Sequence, residues 1–478
     1  MNRLKGPIDV TPAGRDMTRG PLTRNLLAVA WPIMLSFLLQ TLYNLADAFW
    51  LGKLGKTALT APVITMHVVF VGMALAMGLG MAGTTLVSQY RGAGRLKDMS
   101  RAGGQTLVIL CIVGTGLSIV GLALSHHLLR LLQTPHDAFH QTLVYMRWIM
   151  MGIPLMFVFF VYQGIHTGMG DTIGPLHLSV ISVSLNVVLD PILIFGIGPL
   201  PRMGVAGAAI ATCVARALAS GIGLHRLFVG DRGFKLHRGD LRWDRLMAGR
   251  IFRIGIPVAL GQMGTALGFT FLIGIVNRFG SAVTAAFGIG NRIIMMANVP
   301  AMGLSQANAT AVGQNLGADR PERAARSVRN SVFLTGGILL PITTCMFFFG
   351  AAISKLFIAD PEVVQYGHDL FRIISPSVLA FGFVLVMLGS FRGSGHTMPV
   401  MVLNMGRLWM IRIPAAYLLA LVAGMGPTGL WLGMFLSNTI TALAAIAWFS
   451  TGSWKRKAIE PEPEVPGAEL APLADPEG

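Results

Sequence analysis

The sequence predicts an all-α polytopic membrane protein, with twelve transmembrane helices in two pseudo-symmetric six-helix bundles around a central cavity. Three observations lead there. Apolar runs of about 20 residues, each long enough to cross a bilayer, recur along the whole chain. Only 12% of the 478 residues are charged and 53% are hydrophobic, whereas a soluble protein carries roughly a quarter charged residues. The mean hydropathy is +0.65, and the chain repeats itself at an offset of 225 residues.

The elements follow from the breaks at Gly, Pro and charge. Residues 1–24 form a cytoplasmic leader, basic and polar and without the apolar core of a cleavable signal, so the first span is itself the insertion signal. Spans are expected near 25–51, 57–84, 101–125, 141–169, 174–197 and 203–228, which make the N-terminal bundle, 25–228. A basic cytoplasmic connector, 229–248, leads to spans near 249–276, 282–312, 328–356, 367–391, 398–422 and 428–452, the C-terminal bundle, 249–452. The tail, 453–478, is acidic and proline-rich and reads as cytoplasmic and disordered. Six of the 21 acids sit in it. Thr134-Pro135 and Asp360-Pro361 each read as an N-cap followed by proline at the first helical position. His136, Asp137 and His140 therefore read as a solvated helix start rather than a metal site. Cys111, Cys213 and Cys345 lie inside apolar segments, so no disulfide framework is implied.

Lys and Arg set the orientation. They crowd the leader (Arg3, Lys5, Arg15, Arg19, Arg24), the second connector (Arg91, Arg95, Lys97, Arg101), the middle connector (Arg232, Lys235, Arg238, Arg242, Arg245) and the eighth connector (Arg320, Arg323, Arg326, Arg329). Lys455, Arg456 and Lys457 close the set. The positive-inside rule then puts both termini and the even-numbered connectors in the cytoplasm, as for a bacterial inner-membrane protein. A basic belt against anionic lipid accounts for the net charge of +16. Nucleic acid is excluded as a partner, because the basic residues fall in short clusters and not along one stripe.

The repeat lays AMGLGMAGTTLVSQYRGAGR (76–95) over AMGLSQANATAVGQNLGADR (301–320) without a gap. Ala76, Met77, Gly78, Leu79, Ala82, Thr85, Val87, Gln89, Gly92, Ala93 and Arg95 each lie over the same residue. The register holds from Pro32 over Pro257 to Gly168, Gly170 and Thr172 over Gly393, Gly395 and Thr397. Six spans per repeat is an even number, so the halves run the same way through the membrane, about an axis along its normal. That is transporter architecture.

Two acids fall within the hydrocarbon, Asp47 in the first span and Asp190 in the fifth. An acid at the bilayer centre costs roughly 2.5–3.5 kcal/mol, so it faces a cavity or a partner. Gln40, Tyr43, Asn44 and Asp47 share one helical stripe, and Asn186 and Asp190 share another. Pro191 removes a donor and frees a carbonyl that can ligate a cation. The alternative, that these groups only tie helices together, is weaker for two acids in one bundle. The second half does not repeat them: Leu272 lies over Asp47, and the eleventh span carries Arg407 and Arg412 instead. Those arginines could recruit an anionic group, but they, and Arg216 near the cytoplasmic end of the sixth span, read first as snorkelling or carbonyl-paired side chains. No HExxH, serine elbow or paired catalytic histidines occur at membrane depth, so an enzyme is not expected.

WPIMLSFLLQTLYNLADAFWLGKLG (31–55), GMGDT (168–172), NVVLDPILIFG with GVAGAAIAT (186–212) and RGSGHTMP (392–399) resemble the multidrug and toxic compound extrusion (MATE) family, over nearly the whole chain except the tails. Within it the sequence looks similar to the DinF-like branch. The resemblance implies a secondary antiporter that exports amphipathic, chiefly cationic, organic compounds or drugs in exchange for H⁺ or Na⁺, with no other cofactor. It also implies a coupling site at Asp47, Asn186, Asp190 and Thr212, with Gln40, Tyr43 and Asn44 in support and any Na⁺ held by the first four. The partners expected are a small-molecule substrate and the bilayer, with the protein a monomer. The NorM-like branch keeps an acid in the seventh span, and none lies between 250 and 276 here. The runner-up is a flippase for a lipid-linked precursor, for which Arg407 and Arg412 are the relevant residues.

Overall fold

The computed structural model describes residues 14–196, 201–230 and 232–459. The start of the leader and the acidic tail from Glu460 lie outside the described residues. Twelve helices among the described residues are long and apolar enough to cross a membrane. They are α1 (Leu22–Gly52), α2 (Lys56–Gly92), α3 (Leu96–Leu131), α4 (His136–Gly168), α5 (Ile173–Phe195) and α6 (Val205–Val229), then α7 (Arg245–Val276), α8 (Ser281–Gly317), α9 (Pro321–Phe357) and α10 (Pro361–Ser394). The last two are α11 (Met398–Val422) and α12 (Pro427–Ser450). Large apolar side chains stay exposed on the outer flanks, among them Ile119, Val120, Phe348, Met410 and Leu443. In a bilayer these positions meet lipid, and the chain is a multi-pass membrane protein.

The helix starts answer the capping expectations unevenly. The Asp360 side chain accepts from the Glu362 and Val363 amides, at 2.9 and 3.1 Å, with Pro361 opening α10. Thr134 does not cap α4. That helix begins one residue later, after Pro135, and the buried Thr134 hydroxyl makes no hydrogen bond. Asp244 caps α7 through Leu246 and Met247.

Packing within the first half is repeated in the second. Helix α2 packs on α3 and α4, α4 on α3 and α6, and α5 on α1 and α6; α8 packs on α9 and α10, α10 on α9 and α12, and α11 on α7 and α12. The halves meet through a matching exchange, α2 on α7 and α1 on α8, with α2 against α8 at the axis.

On the face that carries Met17 and Ile459 this axis is closed by a symmetric set of bonds. Gln89 Nε2 donates to the Gly393 carbonyl at 2.9 Å, and Gln314 Nε2 donates to the Gly168 carbonyl at 3.0 Å. Thr85 Oγ1 donates to the Arg392 carbonyl (2.8 Å), and Thr310 Oγ1 to that of Thr167 (3.0 Å). Gly92 lies against the Gln314 backbone and Gly317 against that of Gln89, and a Cβ at either would collide with a carbonyl. The free ends of the glutamines are taken by the flanks of the chain. The Met17 amide donates to Gln314 Oε1 at 2.9 Å, and the Ala458 and Ile459 amides donate to Gln89 Oε1 at 2.8 and 3.2 Å.

Helix α11 departs from α geometry. Gly406–Arg412 and Leu418–Val422 are π-helical, a wider turn that recurs at functional sites.

Candidate functional site

Three helices of the N-terminal bundle converge around the two membrane acids. On α1, Tyr43 and Asp47 point inward while their neighbours Leu42, Leu45 and Phe49 are exposed. That is what one polar stripe on an otherwise lipid-compatible helix produces. On α5, Asn186 and Asp190 are fully buried and share a face, the Asn186 amide donating to Asp190 Oδ1 at 3.1 Å. Pro191 inside α5 denies the Val187 carbonyl its helical donor. On α6, the buried Thr212 hydroxyl is 2.8 Å from the Tyr43 hydroxyl.

The acids are close enough to act on each other electrostatically, and Tyr145 of α4 lies within the same field as Tyr43, Asp47 and Asp190. One feature of the cluster is chemically decisive. Asp47 Oδ1, Asn186 Oδ1 and Asp190 Oδ2 are all buried acceptors without a hydrogen-bond donor. Buried polar atoms are ordinarily satisfied, so three buried oxygens left without donors on α1 and α5 stand out. Oxygen ligands suit small hard cations.

The supporting residues divide. Gln40 donates to Asn44 Oδ1 at 3.2 Å and accepts from Arg216 Nη2 at 2.7 Å. Asn44 is exposed. Arg216 lies mid-way along α6 rather than near its C-terminal end. Its guanidinium faces the Tyr43 and Phe159 rings at 5.4 and 5.6 Å. The site thus has an acidic part, at Asp47, Asn186 and Asp190, and a basic edge at Arg216. Tyr145 had no sequence signal, since a lone tyrosine in an apolar helix has no stripe to mark it. For Arg216, its mid-span position was the available signal.

A further acid lies outside the spans. Asp171, between α4 and α5, is 3.1 Å from His166 Nδ1, accepts from the Gly174 amide, and pairs with Arg232 at 3.0 Å. Burial alone would raise its pKa, but the His166 hydrogen bond and charge, the Gly174 amide and Arg232 together hold it below the usual carboxylate range. Two surface grooves, of about 360 and 280 Å³, lie along α1–α9 and α10–α12 and touch neither membrane acid.

Twelve spans in two like halves, with buried acids in one of them, define a membrane transporter handling small-molecule substrates. The MatE family model matches residues 32–192 and 257–418, two copies that begin 225 residues apart, at the offset of the internal repeat. The chain belongs to the MATE family, whose members are transporters and not enzymes. It is 30% identical over 446 residues to the probable multidrug resistance protein YpnP of Bacillus subtilis, covering 92% of this chain and 97% of that one. It is 27% identical to the FAD transporter of Shewanella oneidensis, over 89% and 93% of the two chains. Among solved structures, a MATE in the bent conformation superposes with a TM-score of 0.86 at 25% identity, over 91% of this chain and 96% of the other.

Proposed function

We propose that the protein is a secondary active antiporter that exports amphipathic organic compounds, organic cations first among them, in exchange for H⁺ or Na⁺. Asp47, Asn186, Asp190 and Thr212 form the coupling site, and Gln40, Tyr43 and Asn44 border it. The observation that carries this reading is the trio of buried oxygens without donors on Asp47, Asn186 and Asp190. The resemblance to multidrug resistance proteins supports the cargo class.

Both termini are cytoplasmic in this reading, and the protein works in the inner membrane as a monomer. The 25–228 and 249–452 bundles are its moving bodies, and the glutamine-and-threonine seam is the cytoplasmic gate. A proton or cation entering from outside neutralises the acids and lets α1 repack. That weakens the hold on cargo in the adjoining cavity, and antiport needs such a difference in affinity between states. Opening the gate exchanges its bonds for bonds to water, at a net cost of about 1 kcal/mol each, which keeps the two states within reach of one another.

The test is Asp47→Asn in proteoliposomes under an imposed pH or sodium gradient. The variant should insert and fold but lose gradient-driven efflux, because an amide mimics only the neutral carboxyl. Asp190→Asn should abolish or weaken coupling in the same way. Transport by Asp47→Asn at the normal rate would remove the site assignment.

A further inference from the structure

The C-terminal bundle holds the opposite charge on α11, the counterpart of α5. Arg412, 5% exposed, donates through Nε to Ser437 Oγ at 2.8 Å and through Nη2 to Asn438 Oδ1 at 2.6 Å. Arg407 donates through Nη1 to the same Asn438 oxygen at 3.3 Å, its Nε is buried without an acceptor, and its guanidinium lies 4.2 Å over the Phe381 ring. Asn438 is in turn held by its own amide on Ser377 Oγ, at 3.2 Å. These residues sit on α10, α11 and α12, the counterparts of α4, α5 and α6.

Among the described residues no acid pairs with either cation. Helices α7 and α8 contain no Asp or Glu, and none occurs between Asp369 and Glu460. The pair has roughly ten N–H donors, yet its side-chain acceptors among the described residues are one hydroxyl and one amide oxygen. A charge left so within a bilayer is expensive and functional by default.

Backbone geometry argues that the pairing is built. In an α-helix, residues five apart diverge by about 140° around the axis. The π segment runs from Gly406 to Arg412, and its i→i+5 turn returns Arg412 to the side of Arg407. Both then reach one oxygen. A snorkelling role would need no such turn and would send each side chain to an interface.

We propose that Arg407 and Arg412 receive an oxyanionic group, phosphate or carboxylate, of the transported solute. Paired guanidiniums offer the bidentate forks that such groups accept, and Ser377, Ser437 and Asn438 hold the forks in place. The cargo then carries an anionic end in addition to its apolar body. This inference rests on the reading of the chain as a transporter but not on the acids of α1 and α5.

The test is ligand-dependent thermal stabilisation of the purified full-length protein in detergent, at matched ionic strength, with no gradient present. The probes are inorganic pyrophosphate, for a water-soluble source of the anion, and dioctanoyl phosphatidic acid, for a lipid headgroup. The expected result is saturable stabilisation by one of them, with apparent affinity at least tenfold weaker in Arg407→Gln and Arg412→Gln. Loss of an exposed arginine elsewhere on α10, Arg372→Gln, should leave it as it is. Saturation by pyrophosphate supports the proposal with a soluble cargo, and saturation by the lipid alone supports it with a lipid cargo. Absence of saturation by either on the wild-type chain overturns the proposal. So does binding that survives Arg407→Gln, the more accessible position and the one that carries the test if Arg412→Gln does not fold. Because no gradient enters, failure here leaves the coupling assignment of Asp47 standing, and failure of Asp47→Asn leaves this one.

Discussion

Asp171 and Tyr43 show two ways a single polar side chain is held in this protein. Asp171 is anchored by His166, Gly174 and Arg232, and its folded pKa lies below the ordinary carboxylate value near 4. A depressed folded pKa contributes stability that is complete above that ordinary value and is lost as pH falls through the lower one. Asp171→Asn should therefore lower the stability at neutral pH by on the order of 3 kcal/mol, seen as a lower thermal midpoint. The two midpoints should converge in acid below pH 4, measured by thermal unfolding in detergent across pH. Parallel curves would show that the charge of Asp171 contributes nothing. Tyr43→Phe removes only the bond to Thr212 and should cost about 1 kcal/mol. Of these residues the membrane acids were legible in the sequence, because a carboxylate in an apolar run has few innocent explanations. Asp171 was not singled out, since its partners come from 5 and 61 residues away and no periodicity links them.

The number and order of the helices were legible, because a bilayer imposes one length and one composition on every span. Several ends run further than expected, α2 to Gly92 rather than 84 and α9 from Pro321 rather than 328. The π turns of α11 were not legible, since their sequence, GRLWMIR, is as apolar and helix-compatible as its neighbours. The seam had a signal that was visible but not interpreted. Thr85, Gln89 and Gly92, which close the axis, belong to the identities that define the repeat. A residue kept in both halves is one that the twofold contact uses twice. Gly92→Ala should force α2 and α8 apart, because the added methyl meets the Gln314 carbonyl. In a background with Cys111, Cys213 and Cys345 replaced, a cysteine at Thr310 should then react severalfold faster with a membrane-impermeant maleimide applied to that face. Unchanged reactivity would mean that the seam tolerates the methyl without opening.

For the whole molecule, the duplicated architecture was legible because identity at a fixed offset survives where individual helices say little. The balance of charge between the halves was only half legible: sequence showed acids in one and arginines in the other, but not that Arg407 and Arg412 converge on one oxygen of Asn438. Orientation is a property of the whole chain, and the one proposed above rests on the basic connectors. A reporter active only outside the cytoplasm, fused after Ile459, should be silent, and activity would invert the orientation proposed above. The exchange of α1 onto α8 and α2 onto α7 also bears on how the protein is made. When the ribosome has finished α6, the first six helices are inserted, yet the α2 surface that will take α7 and α8 still faces lipid. The first half therefore waits for the second, and its small-residue faces stay open to quality-control proteases until α8 arrives. Each half expressed alone should be degraded, and the two expressed together as separate polypeptides should rescue one another.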